Sequence, residues 1–259
     1  MKPALLLQFT RQDLIDRHAS SMLGAFWTFL LPLANILIFT LVFSNIMAIK
    51  LTDMGMDHLG RFGYSVYLVS ALLAWNCFAG TLTRTTQVFQ EKAPLIGKVH
   101  ISLFSLPLYI LLSETVIYLI SMSFFMVFLL IIDFQWSIHW LWWPVIFAVQ
   151  QLLAYAIGLG CAILGVFLRD IREVVTIVVQ LWFWMTPIVY VITILPEKWL
   201  PMFQLNPYYH LIDALRTALL VGEAPAFWPL FSIAVIALLI LFAALYVGRR
   251  LERDIRDFL

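Results

Sequence analysis

Residue types that perform phosphate or acyl chemistry are present, but few stand in a pattern that uses them. Gly97-Lys98 is followed by Val99 and has no glycine five residues upstream, so it does not make the P-loop that cradles a nucleotide phosphate. Any use of ATP therefore falls to another subunit. His18, His58, His100, His139 and His210 sit near the ends of apolar runs or between them, with no i,i+4 pair for a metal and no GxSxG elbow. They read as interfacial side chains. Cys77 and Cys161 lie inside apolar runs far apart in sequence, which offers neither a disulfide framework nor metal-ligand spacing. No catalytic residue, metal site or cofactor is expected in this chain.

Glu114 is the one acidic residue inside an expected span. A carboxylate there is costly and points either to a proton relay or to a structural or gating role. Proton-driven pumps carry a chain of such groups and this sequence has one, which favours the second reading, with Lys98, His100 or a neighbouring helix as its partner. Two polar-aromatic stripes have helical spacing. Gly24, Thr28, Pro32, Asn35 and Phe39 recur at steps of three and four, and so do Thr176, Gln180, Phe183, Pro187 and Tyr190, with Trp184 beside them. Each proline also frees the carbonyl four residues earlier. Such faces suit a wall turned to something other than lipid, or ordinary helix packing; both readings stand. Ala154, Gly158, Cys161 and Gly165 form a small-residue face, which predicts close helix contact. Aromatic side chains, 15% of the chain, fit the passage of sugars, whose apolar C–H faces stack on rings, although 21 of them are Phe and also suit lipid.

Helices in a bilayer must position these residues. The chain has 259 residues, 63% hydrophobic and 12% charged, with a mean hydropathy of +0.95. Soluble domains run about 45–50% apolar and about 25% charged. One polytopic domain, 1–259, is expected, without room for a separate soluble enzyme domain. A net charge of +1 argues against a nucleic-acid partner. The apolar patch before Arg11 is too short for a signal-peptide core, so the first span is expected to serve as the insertion signal. Stretches without acidic or basic residues, the third extended back through Glu114, predict six transmembrane helices, at 24–48, 62–84, 106–132, 142–168, 174–195 and 226–248.

Lys2, Arg11, Arg17, Arg84, Lys92, Lys98, Arg169, Arg172, Arg249, Arg250, Arg253 and Arg256 fall on one side of these spans. Only Lys50, Arg61, Lys198 and Arg216 fall on the other, which predicts that both termini are cytoplasmic. Trp136, Trp140, Trp142 and Trp143 then lie at the outer interface. Three segments do not span. In 1–18, Ala4, Leu7, Leu14 and Ile15 share a face while Gln8, Gln12, Asp13, Asp16 and Arg17 lie mostly elsewhere, which predicts an amphipathic helix on the inner membrane surface. The cytoplasmic loop 86–100 has room for a short helix broken at Pro94. The external segment 196–225, divided by Pro196, Pro201, Pro207 and Pro225, predicts short re-entrant helices.

Taken in order along the chain, these features resemble the permease subunit of ABC-2 type exporters, in particular the branch that exports O-antigen and capsular polysaccharides. "RQDLIDRHASSMLGAFWTFLLPLANILIFTLVFSNI" at 11–46 is similar to that family's surface helix running into span one through Leu23, Gly24 and Trp27. "FLRDIREV" at 167–174 resembles its cytoplasmic Phe-x-Arg-Asp-Ile element, with Arg169 and Asp170. "TPIVY" at 186–190 resembles the Pro-Ile-x-Tyr of its fifth span, with Thr186 where many relatives carry Ser, and "LNPYYHLIDALR" at 205–216 its outer Asn-Pro segment.

The resemblance implies a homodimer in the bacterial inner membrane, paired with two copies of a separate nucleotide-binding subunit that holds ATP and Mg. It implies docking of that subunit at Arg11 and Asp13 and at Gln90, Glu91, Lys92, Leu95 and Ile96. Spans one and five would line the path, through Thr28, Pro32, Asn35, Phe39, Thr176, Gln180, Phe183, Trp184, Pro187 and Tyr190. The outer helices would form a periplasmic gate with Trp199, Asn206, Pro207, Tyr208 and Arg216. The implied cargo is a polysaccharide on a polyprenyl diphosphate, foremost lipopolysaccharide O-antigen. Capsule, teichoic-acid or drug export by the same fold is the nearest alternative, and a membrane glycosyl- or acyltransferase the next.

Overall fold

A computed structural model describes residues 3–17, 21–22, 24–27, 30, 33–34, 36–38, 41, 62–98, 102–192 and 196–259. Among the described residues every regular element is a helix. They are α1 (Pro3–Asp16), α2 (Gly63–Glu91), α3 (Ala93–Ile96), α4 (Leu108–Ile131), α5 (Trp143–Phe167), α6 (Ile171–Trp184), α7 (Leu200–Gln204), α8 (Pro207–Arg216), α9 (Phe227–Arg250) and α10 (Glu252–Phe258). Short 3-10 turns precede α5 and α7, and a π turn, Thr217–Val221, follows α8.

Four helices are long and apolar enough to cross a membrane: α2, α4, α5 with its leading turn from Ile138, and α9. They match the second, third, fourth and sixth expected spans. α2 is longer than its span of 62–84 because nothing stops it before Glu91; its 29 residues reach about 43 Å at ~1.5 Å each. The loop expected at 86–100 therefore begins as helix. Pro94 does not break the short helix there but sits in its first turn, where a missing N–H costs nothing.

The fifth span departs from expectation. Instead of one helix over 174–195, α6 ends at Trp184 after 14 residues, roughly 21 Å and short of a ~30 Å hydrocarbon core. Pro187 has no N–H to donate and disfavours helical geometry at Thr186, and the chain continues without regular structure through 185–191. Of the first stripe, Thr28, Pro32, Asn35 and Phe39 lie outside the described residues, as do Lys2, His18, Lys50, His58, Arg61 and His100.

The small-residue face of α5 is a packing face, as its composition predicts. A Cβ on Gly158 would lie 2.8 Å from the Thr85 Cβ and 3.0 Å from the Leu82 carbonyl, so α2 and α5 approach to a distance only glycine allows. Buried side chains form two clusters. One surrounds Trp75, Phe78, Tyr118 and Tyr208; the other surrounds Phe89, Tyr109, Tyr155 and Ile163 and takes in Leu6 and Phe9 of α1, Leu95 and Ile96 of the α3 segment, and Ile255 of α10.

α1 packs along α4 through Leu6, Phe9 and Thr10, while Ala4, Leu7 and Ile15 stay exposed. Asp13 and Arg17, expected on the polar side, turn into the protein instead. The segment 196–225 contains short helices, as its prolines predict. Asn206 caps α8 by accepting from the Tyr208 N–H at 3.0 Å, Pro207 fills its first position, and Gly222, at φ 76°, ends the π turn in the left-handed region.

Candidate functional site

The break after α6 takes five backbone carbonyls out of any helical ladder, and each finds a side chain. Asn206 Nδ2 donates to the Met185 carbonyl at 3.1 Å and to Thr186 Oγ1 at 2.9 Å, while its Oδ1 accepts from Trp182 Nε1 at 2.7 Å. Arg216 Nη1 donates to the Pro187 carbonyl at 2.7 Å, and Nη2 to that of Ile188 at 2.9 Å. The Tyr64 hydroxyl donates to the Val189 carbonyl and the Tyr67 hydroxyl to that of Tyr190 at 3.3 Å. A non-helical segment survives at membrane depth only when its polar groups are met in this way.

Arg216 is buried, 8% exposed, and among the described residues it forms no ion pair with a carboxylate. Its guanidinium lies 3.4 Å from the centre of the Tyr67 ring and donates to the Tyr67 hydroxyl at 2.7 Å. The planar fork thus spreads its charge over carbonyl dipoles and an aromatic face. Tyr208 is fully buried, 4.5 Å from Phe78 and 4.9 Å from Trp75 between ring centres, with its hydroxyl 3.3 Å from Gln150 Oε1.

Of the residues expected at the outer gate, Asn206 and Arg216 therefore converge on the broken fifth segment, while Pro207 opens α8 and Tyr208 is buried against α2. Trp199 stays half-exposed beside Lys198. Arg216, which sequence alone assigns to an outer loop, is a buried clamp.

The expected stripe on the fifth span divides. Thr176, Gln180 and Trp184 lie exposed along α6, whose buried residues are Val175 and Val179. Phe183 leans on Trp75 at 5.7 Å and Pro187 is buried. Tyr190 folds back so that its hydroxyl donates to the Trp184 carbonyl at 2.8 Å. A spacing of three and four keeps residues on one face only while the helix continues, and here it stops before Pro187.

Near the other end of α2 four charged side chains form a closed ring. Arg17 meets Asp13 at 3.3 Å and Glu114 at 2.6 Å; Arg84 meets Glu114 at 2.9 Å and also Asp13. Burial pushes the Asp13 carboxyl up, but the hydrogen bond and charge of Arg84, with Arg17 beside it, outweigh burial and hold it below the usual carboxylate range. Glu114 is met by Arg17 and by Arg84 of the neighbouring helix α2; His100 lies outside the described residues. These arginines and Tyr64, Tyr67 and Trp182 escape sequence reasoning. The Asp13/Arg17 spacing of four was a usable signal, as was Arg84 at the end of an apolar run.

Around α3, Gln90 Nε2 donates to the Gly165 carbonyl at 2.8 Å, Ile96 is buried, Leu95 packs beneath it and Lys92 lies 5.8 Å from the Tyr109 ring centre. Glu91 is exposed, as are Arg11, Arg169 and Asp170. Arg169 also lines a cleft of about 610 Å³ with Gln90, Arg172 and Glu173.

Long apolar helices, an unwound segment held by side-chain donors, and an internal ion ring define a multi-pass membrane protein whose polar groups hold structure together. Among the described residues no group of three or more His, Cys, Asp or Glu is placed to bind a metal. Residues 4–220 match the family described as ABC-2 type transporter, and the chain belongs to that family of membrane transport subunits. It is similar to an O-antigen export system permease protein RfbA of Klebsiella pneumoniae, 28% identical over 219 residues that cover 84% of this chain and 81% of the relative. A protein of the same name from Myxococcus xanthus is 24% identical over 253 residues, covering 96% of this chain and 93% of the relative.

Proposed function

We propose that this chain is the permease subunit of an ATP-driven exporter that carries polyprenyl-diphosphate-linked polysaccharide, specifically lipopolysaccharide O-antigen, from the cytoplasm to the periplasm. The observation that carries the reading is likeness to O-antigen export permeases over nearly the full length of both chains. In this reading the protein is a homodimer in the bacterial inner membrane, with six spans and cytoplasmic termini. Two copies of a nucleotide-binding subunit hold ATP and Mg and dock at the exposed side of α1, at Glu91 and at the α3 segment. Trp184, Gln180 and Thr176, exposed along α6, face the glycan with the stripe of span one.

A strain lacking its own O-antigen permease provides the test. Expression of this chain with its cognate nucleotide-binding subunit is expected to restore surface O-antigen. In proteoliposomes, ATP hydrolysis is expected to rise on addition of lipid-linked glycan. Stimulation by hydrophobic drugs with none by glycan would overturn the reading, as would restoration of capsule alone.

A further inference from the structure

We propose that the ring of Asp13, Arg17, Glu114 and Arg84 is the joint through which the ATPase-facing surface helix and the two spans behind it move as one body. The inference rests on the reading of the chain as the permease of an ATP-driven exporter and assigns these four residues a positioning role in coupling.

The ring is closed and neutral. Each carboxylate meets both arginines, so the cluster carries no net charge at the membrane boundary, whereas opening one side leaves a charge without its partner in a poorly solvated place. That makes the closed form strongly preferred, as a joint requires. The helices are shaped around it: a Cβ on Gly80 would come within 2.8 Å of Glu114 Oε2, so α2 leaves room there for the carboxylate of α4.

Among the described residues few other contacts fix the angle of α1. Beyond the ring it rests on Leu6, Phe9 and Thr10, with Leu5, Leu7 and Ile15 exposed. A second link runs through Tyr109 of α4, whose ring meets Phe9 of α1 and the Lys92 ammonium beside α3, each at 5.8 Å. Both segments expected to touch the ATPase therefore converge on α4, and displacement of either is passed to α2 and α4 together. The ring also continues inward as a polar strip, since Cys77 Sγ donates to the Glu114 carbonyl at 3.5 Å and Gln151 of α5 donates to Cys77 at 3.0 Å.

The test is Glu114→Gln, with Glu114→Asp as the conservative control, in the full complex in proteoliposomes. Glu114→Gln is expected to retain the nucleotide-binding subunit at wild-type stoichiometry and to hydrolyse ATP within about twofold of wild type, yet to export roughly tenfold less glycan per ATP, a shift in the ordinary range of coupling energies. Amide exchange over residues 3–16 is expected to speed up by about the same factor while that over 143–167 holds, because only α1 loses its anchor. Glu114→Asp restores both. Unchanged export per ATP with unchanged exchange in α1 would overturn the joint, as would loss of export accounted for by loss of the bound ATPase. If the wild-type complex moves no glycan while α1 still loosens in Glu114→Gln, the cargo assignment fails and the joint stands.

Discussion

Arg84 and Arg216 are solutions to one problem at opposite ends of α2. Arg84 belongs to that helix, and Arg216 meets it at Tyr67, 17 residues or about 25 Å along its axis. Each brings a guanidinium into a place where water is scarce. Arg84 is answered by charges, two carboxylates shared with Arg17, and Arg216 by dipoles, three carbonyls and a tyrosine. The difference follows from what each holds. The ring joins three intact helices whose own carbonyls are satisfied, so it needs a partner on each. The clamp holds a backbone that has lost its ladder, and there the guanidinium supplies the Pro187 and Ile188 carbonyls with the donors that a continuing helix would have given them. Carboxylates can be neutralised by protons; carbonyls cannot.

The comparison breaks most visibly at the clamp. Arg216→Met strands the Pro187 and Ile188 carbonyls among apolar groups and is expected to cost about 3–5 kcal/mol, seen as a loss of folded protein on thermal unfolding in detergent. Arg216→Lys should recover only part, because one ammonium cannot match a planar fork aimed at several acceptors. A melting temperature equal to wild type in either variant would refute the clamp.

The ring yields next. Asp13→Asn removes one carboxylate that serves both arginines and is expected to cost about 1–3 kcal/mol, confined to α1 and read by amide exchange over residues 3–16. Acid should do the same. Since the Asp13 carboxyl is held below its ordinary value, its stabilisation is full above that ordinary value, near 3.8, and is lost as pH falls through the folded one. Loosening of α1 as pH drops below about 4, with the segment 185–191 still protected, would separate the two sites. Simultaneous loosening of both would merge them. Tyr67→Phe sits lower still. It deletes one hydroxyl between Arg216 and the Tyr190 carbonyl and is expected to cost about 1 kcal/mol.

How much of this is legible in sequence follows from the range of each interaction. Apolar runs longer than a bilayer is thick declare α4, α5 and α9 within a few residues, and the start of α2 though not its end at Glu91, because a span is a local property. Glu114 declares itself for the same reason. Its partners do not: Arg17 and Arg84 lie 97 and 30 residues away and each reads as a loop charge. Pro187 signals trouble in the fifth span, but whether the helix kinks or ends depends on donors from Tyr64, Tyr67, Asn206 and Arg216, up to 125 residues distant. The Asn-Pro motif at 206–207 is legible as a helix start, whereas the second use of Asn206, holding Met185, Thr186 and Trp182, appears only once the chain is folded.

The smallest effect on stability falls on the face between these two sites, and it carries the most information about transport. Trp184 ends α6 one residue before the clamped segment begins, yet its side chain is 60% exposed. What fastens it to the clamp is its backbone: the carbonyl accepts from Tyr190 whatever side chain the residue bears. Trp184→Ala is therefore expected to shift unfolding by no more than about 0.5 kcal/mol, as substitutions away from packed groups do. If the exposed face of α6 meets the glycan, the same change lowers export several-fold by removing a stacking surface, while assembly with the ATPase is unchanged. Phe242→Ala on α9, where the ring is 66% exposed, is the matched control, since α9 lies outside the expected path. Equal loss of export in both variants would reduce α6 to a lipid-facing helix. Loss in Trp184→Ala alone would mean that the clamp exists to present this face, with stability held by buried Arg216 and transport by the exposed indole at the end of α6.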